Sequence, residues 1–403
     1  MKQYLFLGLV LPTAALAQLG LPPVGGVLRG VQQTLPRVDA LPVVSTARDL
    51  VRVRTDRLRD LVSRYPRVLE LDPDGNPAVR GELLMTGASD ADVAAAEAAG
   101  FHVIERGAIE GADVRFARVA APSRLSLSAA LKRLRKLAPG SAVSANPLHF
   151  ESGSAGGGAG GFAEGAGGGA PAGVIDGGVS AAAGVRVAEQ RGFAAGAPSA
   201  SAHGTAVASL IAGAGRVRGA APGVPVVVAD IYGRDPAGGN ALALAKALGW
   251  MAGRGVKVVT VSLVGPANPL VQATVSAVQR RGLSVVAAVG NDGPAAPPAY
   301  PASYPGVIAV TAVDGKNRAL IEAGRALHLD FAAPGADMLA TAIDGSARAV
   351  RGTSFAAPLV AGRLVRLGSV SALGAEARAI GPAKLFGRGL VCGDCRTRPG
   401  GRD

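Results

Sequence analysis

Short apolar runs alternate with helix-length segments through the second half of the chain. The runs are rich in Val and are bounded by Gly or Pro. Continuous apolar strands separated by helices are typical of a parallel sheet covered by helices on both faces. The pattern therefore predicts an α/β unit over residues 171–392. We expect its strands at 172–175, 224–231, 257–263, 284–288 and 307–311, and its helices at 204–214, 240–253 and 269–281.

A second pattern, upstream of this unit, predicts a small α+β domain over residues 81–150. On its second predicted helix, Leu127, Leu131 and Leu134 recur at helical spacing. The order β-α-β-β-α-β is that of a split βαβ sandwich. We expect strands at 82–85, 101–104, 113–120 and 142–146, and helices at 91–99 and 126–137.

The segments around these two units have their own composition. The pattern of residues 18–80 predicts an extended N-terminal segment, the lead, that contains a basic amphipathic helix at 46–63. Residues 151–170 are almost entirely Gly, Ala and Ser, which cannot bury enough apolar surface to become ordered. We interpret them as an exposed, protease-sensitive linker. Residues 393–403 are expected to form a C-terminal tail.

The N-terminus has the three parts of a secretory signal peptide over residues 1–17. Lys2 supplies the positive charge, residues 5–16 form an apolar run, and Ala15-Leu16-Ala17 is a small-x-small cleavage site. The alternative is an N-terminal membrane anchor, but the run is shorter than the ~20 residues that a spanning helix needs. We therefore predict a secreted or periplasmic protein with no stable membrane anchor.

Composition and charge narrow the possible functions. The chain has 403 residues, of which 49% are hydrophobic, so it can bury a large core. Two Cys and four His leave little room for a multi-cysteine or His-rich metal site. The net charge of +13 would suit a nucleic-acid partner, but the basic residues are scattered and not interleaved with aromatics. We interpret them as a solvated basic surface and predict no nucleic-acid partner.

Three side chains suggest nucleophilic catalysis. Asp176 ends a predicted strand, where ligands gather in an open parallel sheet, and His203 and Ser354 begin predicted helices. Each alone is ordinary, since Asp is common in turns and Ser at helix N-caps. Together they could supply a serine nucleophile, a histidine base and a carboxylate that orients the imidazole.

The residues around these side chains resemble the active-site signatures of the subtilisin-like serine proteases, the subtilase family. The matching motifs are Asp176-Gly-Gly, His203-Gly-Thr and Gly352-Thr-Ser354-Phe-Ala-Ala-Pro. Their order along the chain, Asp, His and then Ser, is also that of the subtilisin-like family. The resemblance covers about residues 171–392. It implies a subtilisin-like three-layer α/β fold and a serine endopeptidase that works through an acyl-enzyme, a chemistry that requires no cofactor. Calcium sites are common in the family, but we predict no metal site here, because the catalytic domain is compact and has no long acidic loop.

The resemblance also implies an oxyanion hole and a substrate cleft. Asn291, in Val285–Gly293, would donate its side-chain amide together with the Ser354 backbone N–H. The strand that binds extended protein or peptide substrates would include Val261, Ser262 and Leu263. An apolar specificity pocket would be lined by Ala287, Ala288 and Val289.

By the same resemblance, the upstream domain is the propeptide of a zymogen, which would occupy the cleft as an intramolecular inhibitor. The alternative is an unrelated regulatory domain. We expect the cut between residues 149 and 171, near Phe150 or Phe162, the only large apolar side chains there.

The enzyme is expected to be a monomer. Cys392 and Cys395 are predicted to form a local disulfide, because an exported chain with no other Cys lacks the partners of a zinc or redox site. The competing function is a catalytically silent, protease-like binding module. The presence of Asp176, His203, Asn291 and Ser354 together argues against it.

Overall fold

The structure is a computed structural model that describes residues 47–155 and 169–400. The predicted signal peptide, residues 18–46 of the lead and residues 156–168 of the linker lie outside the described residues. The upstream part contains α1 (Ala47–Arg64), β1 (Leu69–Leu71), β2 (Pro77–Thr86), α2 (Asp90–Ala98), β3 (His102–Ile109), β4 (Val114–Ala120), α3 (Leu127–Leu137), β5 (Ala142–Pro147), β6 (Phe150–Glu151) and β7 (Ser154–Ala155).

From β2 to β5 the upstream unit has the predicted β-α-β-β-α-β order. Its antiparallel sheet runs β1-β2-β4-β3, and β5 also pairs with β2. The unit begins earlier than residue 81, because β1 pairs with Pro77–Val79 at the start of β2. One face of the sheet packs on α2 and α3, where Leu127, Leu131 and Leu134 are buried as their spacing predicts.

The downstream part forms the predicted α/β unit. Its elements are β8 (Ala172–Asp176), β9 (Val187–Gly192), α4 (Ala202–Ala212), β10 (Val226–Asp230), α5 (Ala241–Gly253), β11 (Val258–Val261), β12 (Leu263–Val264), α6 (Pro269–Arg280), β13 (Ser284–Ala288), β14 (Ile308–Val313), β15 (Phe331–Pro334), β16 (Met338–Thr341), β17 (Ala347–Arg351), α7 (Thr353–Leu367), α8 (Val370–Glu376) and α9 (Ala383–Phe386).

Within the described residues, seven strands form one parallel sheet in the order β15-β14-β13-β11-β8-β10-β9. Helices α5 and α6 bury one face of this sheet, and α4 and α7 bury the other. Two strands of the sheet, β9 and β15, were not predicted. The edge strand β9 carries Glu189, Gln190 and Arg191, so its sequence lacks the apolar run that identifies the interior strands.

The first residues of the predicted linker are not free. β6 pairs antiparallel with β12, and β7 pairs antiparallel with β17. The linker prediction is therefore wrong for residues 151–155. Gly, Ser and Ala have little apolar surface to bury, but their backbone groups find hydrogen-bonding partners on the edge of the downstream unit.

The C-terminal segment packs on the α/β unit. Cys392 and Cys395 are joined by a disulfide, and the carbonyl of Thr397 accepts a hydrogen bond from the Leu339 N–H. Among the described residues, no single helix is long and apolar enough to cross a membrane, and the bent pair α7–α8 meets that test only when its two helices are combined.

The upstream sheet docks on α5 and α6 through its second face. Asn146 accepts a hydrogen bond from the Leu242 N–H at the start of α5 (3.2 Å), and Asn268, the N-cap of α6, donates to the Ser144 hydroxyl (3.0 Å). Gly249 of α5 approaches Glu110 so closely that a Cβ on it would overlap the Glu110 carbonyl oxygen. A glycine is therefore required at this contact.

We expect Gly249→Ala to weaken this docking, because the added methyl group must displace backbone. The cost is about 1–3 kcal/mol, as for other overpacked sites. Thermal unfolding of the full chain, with Ser354→Ala to prevent proteolysis, measures it. Gly253→Ala on the same helix is the control, since nothing lies within 4 Å of its added methyl. An equal effect of both substitutions would contradict the close approach.

Candidate active site

Asp176 and His203 form a buried hydrogen-bonded pair. Asp176 is the last residue of β8, and His203 lies in the first turn of α4, whose N-cap Ser201 accepts a hydrogen bond from the Gly204 N–H. Nδ1 of His203 is 2.9 Å from both carboxylate oxygens of Asp176. An ionised Asp176 holds the proton on Nδ1, which leaves Nε2 free to act as a base.

Ser354 lies in the first turn of α7, beside this pair, and its side chain is fully buried. Its neighbour Phe355 packs on the His203 ring, with the ring centroids 5.3 Å apart. The Ser354 hydroxyl and Nε2 of His203 are both buried and have no hydrogen-bond partner among the described residues. A Cβ on Gly153 would overlap the Ser354 hydroxyl, so the backbone of Gly153 lies close to the candidate nucleophile.

Two N–H donors converge on one peptide carbonyl next to Ser354. The side-chain amide of Asn291 and the backbone N–H of Ser354 (3.2 Å) both donate to the carbonyl oxygen of Ser152. The Asn291 amide is itself oriented, since its oxygen accepts from the Thr353 N–H at 3.0 Å. This is the arrangement that stabilises the oxyanion of a tetrahedral intermediate.

The segment that carries Ser152 lies in the cleft as an added strand. Leu263 and Val264 pair antiparallel with Glu151 and Phe150. The Ser262 carbonyl accepts from both the N–H (3.3 Å) and the hydroxyl (3.2 Å) of Ser152. Of the three residues predicted for this strand, Ser262 and Leu263 contact the segment, whereas Val261 is buried in the core at the end of β11.

A cavity of about 590 Å³ lies beside Ser152. Val289 lines it, but Ala287 and Ala288 do not, because successive residues of β13 point into opposite layers of the core. Val264 and Gly290 line the cavity instead. It is not wholly apolar, since Asp292 and Glu322 also line it.

Glu151 was not singled out in the sequence, but it lies at the centre of the site. One oxygen each of Glu151 and Asp176 and one nitrogen of His203 lie within 4.8 Å of one another. Burial raises the pKa of Glu151 to about 8, against the opposing effect of His203. Burial also disfavours the His203 imidazolium, but the Asp176 and Glu151 carboxylates outweigh it and raise the pKa of His203 to about 9.

Two clusters among the described residues have the spacing of a metal site. They are Glu151, Asp176 and His203, and Cys392, Asp394 and Cys395. In the first, both Asp176 oxygens already contact Nδ1 of His203. In the second, the two sulfurs are joined in the disulfide. Neither cluster therefore offers a complete set of free donors.

Comparison with known proteins identifies relatives of this chain. The model of the Subtilase family matches residues 183–374. Subtilisin BL of Lederbergia lenta is 31% identical over 242 residues, which cover 56% of this chain and 89% of that protein. This chain belongs to the subtilase family. Alkaline elastase YaB of Bacillus sp. (strain YaB) is also 31% identical over 242 residues, 56% of this chain and 64% of that protein.

The subtilase fold extends beyond the matched residues. The crystal structure of fervidolysin from Fervidobacterium pennivorans, a keratinolytic enzyme related to subtilisin, superposes with a TM-score of 0.64 at 19% identity. The match covers 81% of this chain and 62% of fervidolysin. The predicted α/β subtilisin-like fold and the predicted serine-type endopeptidase class are confirmed, and peptides are the substrate class.

We expect His203 of this subtilase to titrate near pH 9 in the full chain, because two carboxylates stabilise its protonated form. NMR titration of the imidazole in a Ser354→Ala chain measures this without proteolysis. Glu151→Gln removes one carboxylate and should move the midpoint to lower pH. Glu110→Gln, at an exposed residue outside the site, is the control. A midpoint unchanged by Glu151→Gln would contradict the electrostatic coupling.

Proposed function

We propose that this subtilase is a zymogen that cuts its own Ser152–Gly153 bond and then hydrolyses other protein or peptide substrates. The observation that carries the proposal is the position of the Ser152 carbonyl. Its oxygen accepts hydrogen bonds from the Asn291 side-chain amide and the Ser354 N–H, while Gly153 lies close to the Ser354 hydroxyl. The bond lies within the interval 149–171 expected from the sequence, two residues beyond Phe150.

The proposed reaction uses an Asp176, His203 and Ser354 triad. The Ser354 oxygen attacks the carbonyl carbon of Ser152, and Nε2 of His203 takes the hydroxyl proton. Asn291 and the Ser354 N–H stabilise the negative oxygen that forms. The C–N bond then breaks, and His203 returns the proton to the amine of Gly153. Water hydrolyses the resulting ester on Ser354, which frees the carboxylate of Ser152.

The first cut requires His203 to lose its proton. Asp176 and, once ionised, Glu151 favour the imidazolium, so the uncut chain resists this loss. The contribution of Glu151 would end when Glu151 leaves the cleft, whereas that of Asp176 would stay, so the pKa of His203 would fall toward the range of an ordinary histidine base. We therefore propose that the full chain is a slow enzyme toward itself and that the released α/β unit is a faster one.

After the cut, the upstream unit is proposed to remain as an inhibitor. Its contacts with α5 and α6, at Asn146 and Asn268, do not involve the cut bond. The new carboxylate of Ser152 would still accept hydrogen bonds from Asn291 and Ser354. Product inhibition follows because the groups that stabilise the transition state also bind the product.

The proposed setting is outside the cytoplasm. It is supported by the sequence pattern of residues 1–17, which predicts a cleaved signal peptide and export to the periplasm or the medium. A disulfide between Cys392 and Cys395 is compatible with such a compartment. We further propose a monomer with no nucleic-acid partner.

One observation favours the second candidate, a catalytically silent binding module. The Ser354 hydroxyl makes no hydrogen bond with His203 in the described structure. A fluorophosphonate separates the two functions, because it labels only a serine that a base activates. Labelling of the processed wild-type chain supports the peptidase, and no labelling at any pH from 6 to about 10 supports the silent module.

We expect Ser354→Ala to leave the full chain uncut, since it removes the nucleophile, whereas the wild type should show Gly153 as the new N-terminus. N-terminal sequencing and intact mass measure both. Ser63→Ala, at an exposed serine of α1, is the control and should be processed normally. An active enzyme in which residues 81–147 are still covalently attached would contradict the propeptide assignment.

We expect Asn291→Ala to lower kcat about 10²–10³-fold with little change in KM, because the amide stabilises charge that develops only in the transition state. That range is the one known for the corresponding donor of subtilisin and is carried over by family membership. Steady-state kinetics on a peptide substrate measure it. An effect confined to KM would instead make Asn291 a ground-state binding residue.

A further inference from the structure

Helix α1 contacts the enzyme directly, although it precedes the propeptide-like unit. Arg54 and Arg57 both reach Asp292, with N–O distances of 3.1 and 2.7 Å. The three side chains are only 20–24% exposed, so solvent screens this attraction less than it would an exposed pair. Asp292 follows Asn291 in the chain, so α1 is tied to the residue next to the oxyanion donor.

Apolar contacts extend this docking to both sides of the cut. Leu50 packs on Gly293, where a Cβ would overlap the Leu50 side chain. Leu58 is 4% exposed and shares a cluster with Leu148 and Phe150, which belong to the segment in the cleft. One face of α1 therefore contacts the enzyme and the bound segment together.

The helix also lines the cavity beside Ser152. Leu50, Val53 and Arg54 form one wall of it. Val289, Gly290 and Asn291 line the same cavity. A substrate side chain in this cavity would therefore contact α1.

We propose that α1 is a second inhibitory anchor, distinct from the strand in the cleft, and that the surface around Asp292 and Gly293 is its receptor for a basic amphipathic helix. The inhibitory part of this inference rests on the proposed zymogen function. Cleavage of Ser152–Gly153 breaks none of the contacts of α1. Through the apolar cluster that Leu58 shares with Phe150, the helix would hold the cut segment in place.

The docking is tested in the full chain with Ser354→Ala, by hydrogen exchange of residues 50–64. Arg54→Glu/Arg57→Glu should accelerate exchange there at least about tenfold, because Asp292 then repels the helix. Arg52→Glu/Arg59→Glu makes the same charge change at exposed positions of α1 and should stay within about twofold of the parent. Equal exchange in the two variants would overturn the docking.

A charge swap separates a specific contact from a damaged helix. Adding Asp292→Arg to Arg54→Glu/Arg57→Glu should restore slow exchange of α1. Failure to restore it would overturn Asp292 as the receptor. These measurements use an inactive chain, so they stand or fall independently of any peptidase activity.

The inhibitory role is tested in chains that keep Ser354. The processed complex of Arg54→Glu/Arg57→Glu should hydrolyse a peptide substrate several-fold faster than the wild-type complex, and the Arg52→Glu/Arg59→Glu complex should not. If α1 is released but the activity is unchanged, the helix is not an inhibitory anchor. If no chain shows activity and the exchange results hold, the proposed peptidase function fails while the receptor surface stands.

Discussion

The proposed function depends on two hydrogen bonds to one carbonyl oxygen, that of Ser152. The Asn291 amide and the Ser354 N–H both donate to the Ser152 carbonyl oxygen. The chain on either side of Ser152 is anchored so that this carbonyl stays next to Ser354. Upstream, the small sheet docks on α5 and α6, and downstream β7 pairs with β17. In the proposed function, catalysis and inhibition therefore use the same donors, because groups that stabilise the transition state also bind the product carboxylate.

The fold was predictable wherever a strand or helix is buried by its own unit. The Val-rich interior strands and the Leu spacing of α3 are examples, since burial imposes a period on the sequence. Strand β9 was missed because it lies at the edge of the sheet and carries polar residues. Strands β6 and β7 were missed for another reason: their partners lie more than 100 residues away, and backbone pairing leaves no side-chain pattern.

Some residues of the candidate site could likewise be predicted from the sequence, and others could not. Asp176, His203, Asn291 and Ser354 could be found because they lie in family motifs. Glu151 and Gly153 could not, because their positions depend on how the upstream segment enters the cleft. Ala287 and Ala288 were assigned to the pocket, but strand alternation places both in the core, and the cavity wall begins at Val289 after the strand ends.

The central claim is that each chain presents its own Ser152–Gly153 bond to its own Ser354. The rate of the first cut in refolded full chain, followed by intact mass over a hundredfold range of protein concentration, tests it most directly. An intramolecular reaction has a rate constant that is independent of protein concentration. The masses should show one fragment that ends at Ser152 and one that begins at Gly153. A rate that rises in proportion to concentration, or a first cut at another bond, would contradict the account.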